Sequence, residues 1–238
     1  MKSKKEILLP GGDSQLRYTL GNIEIKGKKA LVLGSGSENI ALEIINKEAD
    51  SVELILEDYE SLLISQLNLN DIDSITPKLM DFELTDFAID TFDIVYAQAS
   101  ISNTRRNKII KEVKRILKNE GVLIVGEIIK LEKDIPQFVS DIFEQSDLEP
   151  LFVDELKNYY NSRSFEIQDV VDYTKTLKEY YSSNLSKLKS SVSELTENEK
   201  SYYKKLINQI SHQSKAYLKQ GADKYIGFYT VEAKLNKR

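Results

Sequence analysis

The chain has 238 residues, 41% hydrophobic and 30% charged, with a net charge of −5 and no cysteine. That composition suits a folded chain with a substantial core, and it excludes disulfides, thiolate metal sites and cysteine nucleophiles. The negative balance argues against general affinity for nucleic acid. No apolar run approaches the ~20 residues that a bilayer span needs. Residues 7–9 are too short an apolar stretch for a signal peptide, so the expected compartment is the cytoplasm.

Pro10-Gly11-Gly12-Asp13 is a turn signal, with Asp13 placed to cap a short helix through about residue 22. The apolar run 30–33 then breaks into Gly34-Ser35-Gly36-Ser37-Glu38, and 39–47 carries Ile40, Leu42, Ile44 and Ile45. This reads as a buried strand, a glycine turn and a helix. A second strand over 51–56 ends in Glu57-Asp58, and a helix follows over 59–70 with Leu62, Leu63 and Leu67 at helical spacing. A third strand over 75–80 ends at Asp81-Phe82, and a fourth covers 92–96. The helix 107–117 has Gly121 as its stop, and 122–129 is apolar enough to be a central fifth strand. Helices are expected over 136–144 and 153–160, and a sixth strand over 165–171. Residues 174–220 read as two helices broken at Thr196-Glu197-Asn198-Glu199, a capping-box pattern, before a last strand over 225–235.

Strands alternating with helices imply an α/β, doubly wound, mostly parallel seven-stranded sheet. Right-handed crossovers put the strand C-termini on one edge, so Gly34–Gly36, Glu57–Asp58, Asp81–Phe82 and Ala97–Ser100 converge there. The expected organisation is a single domain over 1–238. It comprises a lead-in helix region (1–27), a core (28–173), a helical lid insertion (174–220) and a final strand (221–238).

Glycines at such a turn let a ligand approach the backbone, and the helix start offers free N–H groups. Glu57 lies 21 residues after Gly36, where a carboxylate can accept from a ribose diol. Asp81 could accept from an exocyclic amino group, and Phe82 could lie against an adenine face. Two ligands satisfy the pattern, a nicotinamide or flavin dinucleotide and S-adenosylmethionine. Glu38 at the helix start would repel a pyrophosphate, whereas an aminoacyl ligand has an ammonium group to offset it, which favours S-adenosylmethionine.

The stretch 30–126 resembles a class I S-adenosylmethionine-dependent methyltransferase. ALVLGSGSE is similar to the family's glycine motif, LILED to its ribose-acid motif and KLMDF to its adenine motif. FDIVYAQAS is similar to the fourth-strand motif, and RILKNEGVLIVGE to the helix-turn-strand that ends the core. LPGGDSQLRYTL resembles a lead-in helix that closes over the cofactor in small-molecule methyltransferases. The tail resembles the cyclopropane-fatty-acid-synthase-like and phosphoethanolamine-methyltransferase-like groups, in which helices before an antiparallel last strand cover the acceptor pocket. The resemblance implies a Rossmann-like fold, S-adenosyl-L-methionine as cofactor, and contacts at Gly12, Gly34, Ser35, Gly36, Glu38, Glu57, Asp58, Asp81, Phe82 and Ala97. Val32 stands where the family usually has an acid, and Glu38 where it has a third glycine. Ala99 and Asn103 fall where phosphoethanolamine methyltransferases carry an acid and a histidine.

Methyl transfer from a sulfonium mainly needs alignment and desolvation of the nucleophile. His212, the only histidine, sits in the lid among Ser, Gln and Lys, where exposure is expected. With no clear base, an amine nitrogen is the leading acceptor, since it carries its own lone pair. Gln98, Ser100 and Asn103 are candidates for orienting it, and Tyr18 is a further candidate for the crevice. Ten of thirteen tyrosines follow residue 150, where they can pack the lid or face a cationic methylamine. Residues 174–220 carry nine lysines against four glutamates, read as a solvated face or a basic cover for an anionic substrate. The expected partner is a small-molecule methyl acceptor, anionic or amine-bearing, and a homodimer is compatible with the chain. An NAD(P)-dependent oxidoreductase and a non-catalytic, degenerate methyltransferase fold are the alternatives.

Overall fold

The structure, a computed structural model, describes residues 7–70, 72 and 74–237. The basic stretch 1–6, part of the leader considered above, lies outside them. Five strands form the parallel body of the sheet: β1 (Lys29–Leu33), β2 (Ser51–Leu56), β3 (Pro77–Leu79), β4 (Phe92–Gln98) and β5 (Leu117–Lys130). They are followed by β6 (Leu151–Phe152), β7 (Phe165–Asp172) and β8 (Ile226–Leu235). The order is β3-β2-β1-β4-β5-β8-β7, with two-residue β6 paired to β5. Only β8 runs against its neighbours β5 and β7. The sheet thus has eight strands rather than seven, because Ile129 and Lys130 pair with Leu151 and Phe152 beyond the point where β4 ends.

The helices are α1 (Gly12–Asn22), α2 (Glu38–Asn46), α3 (Tyr59–Asn68), α4 (Arg106–Ile116), α5 (Gln137–Gln145) and α6 (Leu156–Asn161). The lid consists of α7 (Leu177–Glu194), α8 (Glu197–Tyr202) and α9 (Lys204–Lys219). Alternation along the strands sends Leu31, Leu33, Val95, Ala97, Leu123 and Val125 into the layer under α4 and α6. Ala30, Val32, Ile94, Tyr96 and Ile124 face the opposite layer, with Leu16 of α1 and Ile40 and Ile44 of α2. Ile40 and Ile44 are fully buried, each contributing ~1.5–3 kcal/mol, which is what fixes α2 against β1.

Three local expectations are corrected. Asp13 does not cap α1: Gly11 (φ 87°) takes the cap position, and Asp13 lies in the first turn, accepting from the Ile7 N–H. Gly121 does not stop α4, because Leu117 already pairs with Phe92 and the bend is absorbed inside β5, with Glu120 at φ 60°. The lid has three helices, not two. The capping box at Thr196 and Glu199 does form, starting α8, and a second break at Tyr203 separates α8 from α9. Tyr181 of α7 and Tyr217 of α9 stack at 4.4 Å, and with Val139, Phe143 and Phe228 they seat the lid on the strand-end edge. Among the described residues, no helix is long and apolar enough to cross a membrane.

Candidate active site

Strand ends at β1, β2 and β4 bring the glycine turn, Glu57 and Ser100 to one edge. Gly34 has φ 112°, and a Cβ there would lie 2.7 Å from the Ser100 Cβ, so only glycine lets the turn pass under residue 100. Gly36 (φ 75°) lies beneath Leu9, whose Cδ2 would be 3.6 Å from an added Cβ. The lead-in segment therefore closes over the glycine turn. Gln98, at the end of β4, holds it there: its Nε2 donates to the carbonyls of Pro10 (2.8 Å) and Gly12 (3.0 Å), while its Oε1 accepts from Tyr96 Oη (2.6 Å). Gln15 of α1 adds a bond to the Ala97 carbonyl at 3.0 Å.

Glu57 Oε1 accepts the Phe82 N–H at 3.0 Å, and its Oε2 is paired with the guanidinium of Arg105. Asp81 Oδ1 accepts from the Glu83 N–H at 3.0 Å and lies 3.4 Å from Arg105 Nη1. The expected ribose acid and adenine acid thus share one cation. Its two carboxylates raise the arginine's proton affinity, the hydrogen bond to Glu57 most.

Other candidates are engaged elsewhere. Phe82 is 4% exposed and packs into the α4-side core, so its ring is core rather than an open adenine platform. Asp58 caps α3 through the Ser61 N–H (2.7 Å), and Ser35 Oγ donates to Ser61 Oγ (2.8 Å). Glu38 is buried and accepts from Ser65 Oγ on α3. Asn103 Oδ1 accepts the Arg105 N–H at 2.9 Å, an Asx turn that starts α4. Gln98 has spent its amide on the lead-in, which makes it a lock on α1 rather than a group facing an acceptor. Tyr18 is also misplaced by the sequence reading. Its Oη donates to Glu232 (2.6 Å) and Asp169 (3.0 Å) on β8 and β7, below the strand-end edge. Burial and those two carboxylates push its hydroxyl pKa far up.

Among the described residues, two buried hydroxyls remain unspent. Ser37 Oγ, at the cap position of α2 and 1% exposed, has no hydrogen-bond partner, and neither does the buried Ser100 Oγ facing Gly34. Buried polar atoms are nearly always satisfied, so a pair of orphans flanking one glycine turn points to a polar ligand there.

Residues 31–125 match the family model described as a methyltransferase domain. The chain carries a methyltransferase domain. S-adenosylmethionine is the cofactor that goes with it. No curated protein matches the chain by sequence. Among solved structures, the chain is similar to Haemonchus contortus phosphoethanolamine N-methyltransferase 2, in complex with phosphomonomethylethanolamine and S-adenosylhomocysteine. The TM-score is 0.78 at 15% identity, and 96% of this chain and 54% of that one are covered. The [4+2]-cyclase SpnF aligns with a TM-score of 0.77 at 16% identity, covering 95% and 81%. Geranyl diphosphate C-methyltransferase from Streptomyces coelicolor A3(2) aligns at 0.66 and 12%, covering 93% and 77%. At such identities the likeness is one of fold.

The residues of the methyltransferase domain fit its cofactor. Ser37, Ser100 and the first turn of α2 offer donors and acceptors at the glycine turn, and Glu57 keeps free acceptor sites on both oxygens. Sequence reading missed Arg105 and a buried cluster behind it. Glu127, 0% exposed on β5, accepts from Tyr160 Oη (2.5 Å) and from Ser102, and lies 3.2 Å from Arg106 Nε. Burial raises the Tyr160 pKa, and Glu127 raises it further. A signal for both arginines was present. Arg105-Arg106 sits at a helix N-terminus, where the dipole disfavours cations, so each needs a specific anionic partner.

Proposed function

We propose that the protein methylates a small molecule at an amine nitrogen. The observation that carries this reading is a cavity of about 180 Å³ between the lead-in and the lid. Asp13 and Arg17 of α1, Glu179 and Tyr180 of α7, and the backbone of Gly11 and Gly12 line it. Its charged lining is two carboxylates against one guanidinium, beside an aromatic ring and with no imidazole. His212 is exposed on the lid, away from this wall, and the lid lysines are exposed apart from half-buried Lys200, which pairs with Glu197. A basic cover for an anionic substrate therefore finds less support than a site for an amine.

When bound, S-adenosylmethionine supplies an electrophilic methyl group on a sulfonium. The chain's own part is to hold that group through Ser37, Ser100 and Glu57, and to shut water out with the lead-in that Gln98 fastens. The acceptor nitrogen uses its own lone pair, so no strong base is needed. Positive charge developing on that nitrogen is offset by Asp13 and Glu179, and the Tyr180 ring adds ~0.5–2 kcal/mol. Haemonchus contortus phosphoethanolamine N-methyltransferase 2, crystallised with an amine acceptor, supports the same class.

The test is a titration of S-adenosylhomocysteine by calorimetry, followed by transfer assays with small amines, alcohols and carbon acids. Binding plus label on amines is expected, with Glu179→Gln raising KM for the amine about tenfold. Absence of binding, or label confined to alcohols and carbon acids, overturns the reading.

A further inference from the structure

Arg105 is held at both ends. Its N–H is fixed by Asn103 Oδ1 at 2.9 Å, and its guanidinium bridges Glu57 and Asp81. The next residue, Arg106, is 4% exposed and anchored from the other side by Glu127 and by the Glu149 carbonyl (2.6 Å). The start of α4 is thus pinned to the core by one arginine while the other reaches forward to the strand-end acids.

A stability role does not account for this contact. The Arg105 side chain is 35% exposed, with Glu57 at 23% and Asp81 at 52%, and ion pairs open to solvent on the arginine side add little to folding. Geometry does account for it. Glu57 is a flexible side chain with three rotatable bonds, yet the Phe82 N–H takes one oxygen and Arg105 the other. A carboxylate has about four acceptor sites, so one stays open on each oxygen. A vicinal diol needs one acceptor for each hydroxyl. Without the cation, Glu57 and Asp81 would repel each other, and the Phe82 N–H alone would hold Glu57, fixing one oxygen and leaving the other to swing.

We propose that Arg105 is a positioning residue for adenosine recognition. It fixes Glu57 and Asp81 in the one arrangement that a ribose diol and an adenine amino group can use together, and it stays in place when they bind. The proposal rests on the reading of this edge as the S-adenosylmethionine site. A planar fork is suited to bridging two acids, which a lysine ammonium does less well.

The experiment measures dissociation constants of S-adenosylhomocysteine and its 2′-deoxy analogue, by calorimetry, for the full chain, Arg105→Gln and Arg105→Lys. The parent is expected to prefer the ribose form by about tenfold or more, as a hydrogen bond to a charged group implies. Arg105→Gln should bind the ribose form about tenfold more weakly and discriminate little between the two ligands, and Arg105→Lys should recover part of the discrimination. An unchanged ratio, with both ligands weakened alike, would make Arg105 merely structural and overturn the proposal. Tighter binding by Arg105→Gln would overturn it differently, by making the guanidinium an occupant that the nucleoside displaces. If Arg105→Gln fails to fold by circular dichroism, Arg105→Lys decides through the same ratio. A parent that binds neither ligand refutes the cofactor site itself, and is thereby distinguished from failure of the Arg105 role.

Discussion

At Gly34 two constraints coincide, and each has its own physical source. Its φ of 112° is strained for any L side chain, and the space a Cβ would need is taken by Ser100. Gly12 separates them, since it has φ 49° but nothing within 4 Å of an added Cβ. Gly12→Ala should lose only the backbone term, ~1–2 kcal/mol. Gly34→Ala should lose that plus an overpacking term of ~1–3 kcal/mol, and should weaken S-adenosylhomocysteine binding at least about tenfold because Ser100 must move. Urea unfolding and calorimetry on both variants check this, and equal losses at the two glycines would contradict it. The placement of Gly34, Gly36 and Glu57 on the strand-end edge, which backbone position sets, was legible from spacing alone. Phe82, Tyr18 and Gln98 were not, because where a long side chain points depends on partners distant in sequence: Tyr18 meets Glu232, and Gln98 meets Pro10.

Among elements, α1 docks through polar contacts at its centre. Gln98 satisfies two lead-in carbonyls and the Tyr96 hydroxyl, and Gln15 spans from the Ala97 carbonyl to within 3.3 Å of Thr230 Oγ1. Gln98→Leu keeps the volume but leaves two buried groups and the half-buried Gly12 carbonyl without that partner, at ~1–3 kcal/mol for each buried one that finds no other. Hydrogen exchange should quicken across 9–22, and cofactor affinity should fall, while amides in β1 and β5 keep their protection. Quickened exchange throughout the sheet would mean that the lock is part of the global core instead. The strands themselves were readable as unbroken apolar runs between polar turns, as in 30–33 and 122–129. The two-residue β6 and the break at Tyr203 had no comparable local pattern, being decided by the free edge of β5 and by packing within the lid.

Across the whole molecule, ionisable groups divide by position. Asp93 ties the starts of β1 and β5 to β4, and Glu112 on α4 holds Thr85 and Arg115, both away from the candidate site. Burial alone would raise both carboxyls, but it is outweighed in each case. For Asp93 the opposing contacts are the Lys29 N–H and Lys118, and for Glu112 they are Arg115 and Thr85, so both pKa values fall below the usual carboxylate range. A depressed folded pKa gives stability that is present above the unfolded pKa and lost as pH falls through the folded one. The tyrosines act with the opposite sign. Burial, with Asp223 and Asp172 adding to it, pushes Tyr217 up to about 12, and burial likewise raises Tyr181 on the lid helix α7. A raised pKa gives stability that is full below the unfolded value and lost as pH climbs toward the folded one. Unfolding free energy should therefore hold between about pH 6 and 9, fall on the acid side below about 4, and fall on the alkaline side above about 10. Asp93→Asn and Glu112→Gln should flatten the acid limb only, and Tyr217→Phe the alkaline limb only. Denaturant titrations across that range test the division, and an acid limb unchanged by both carboxylate variants would remove these two groups as its cause.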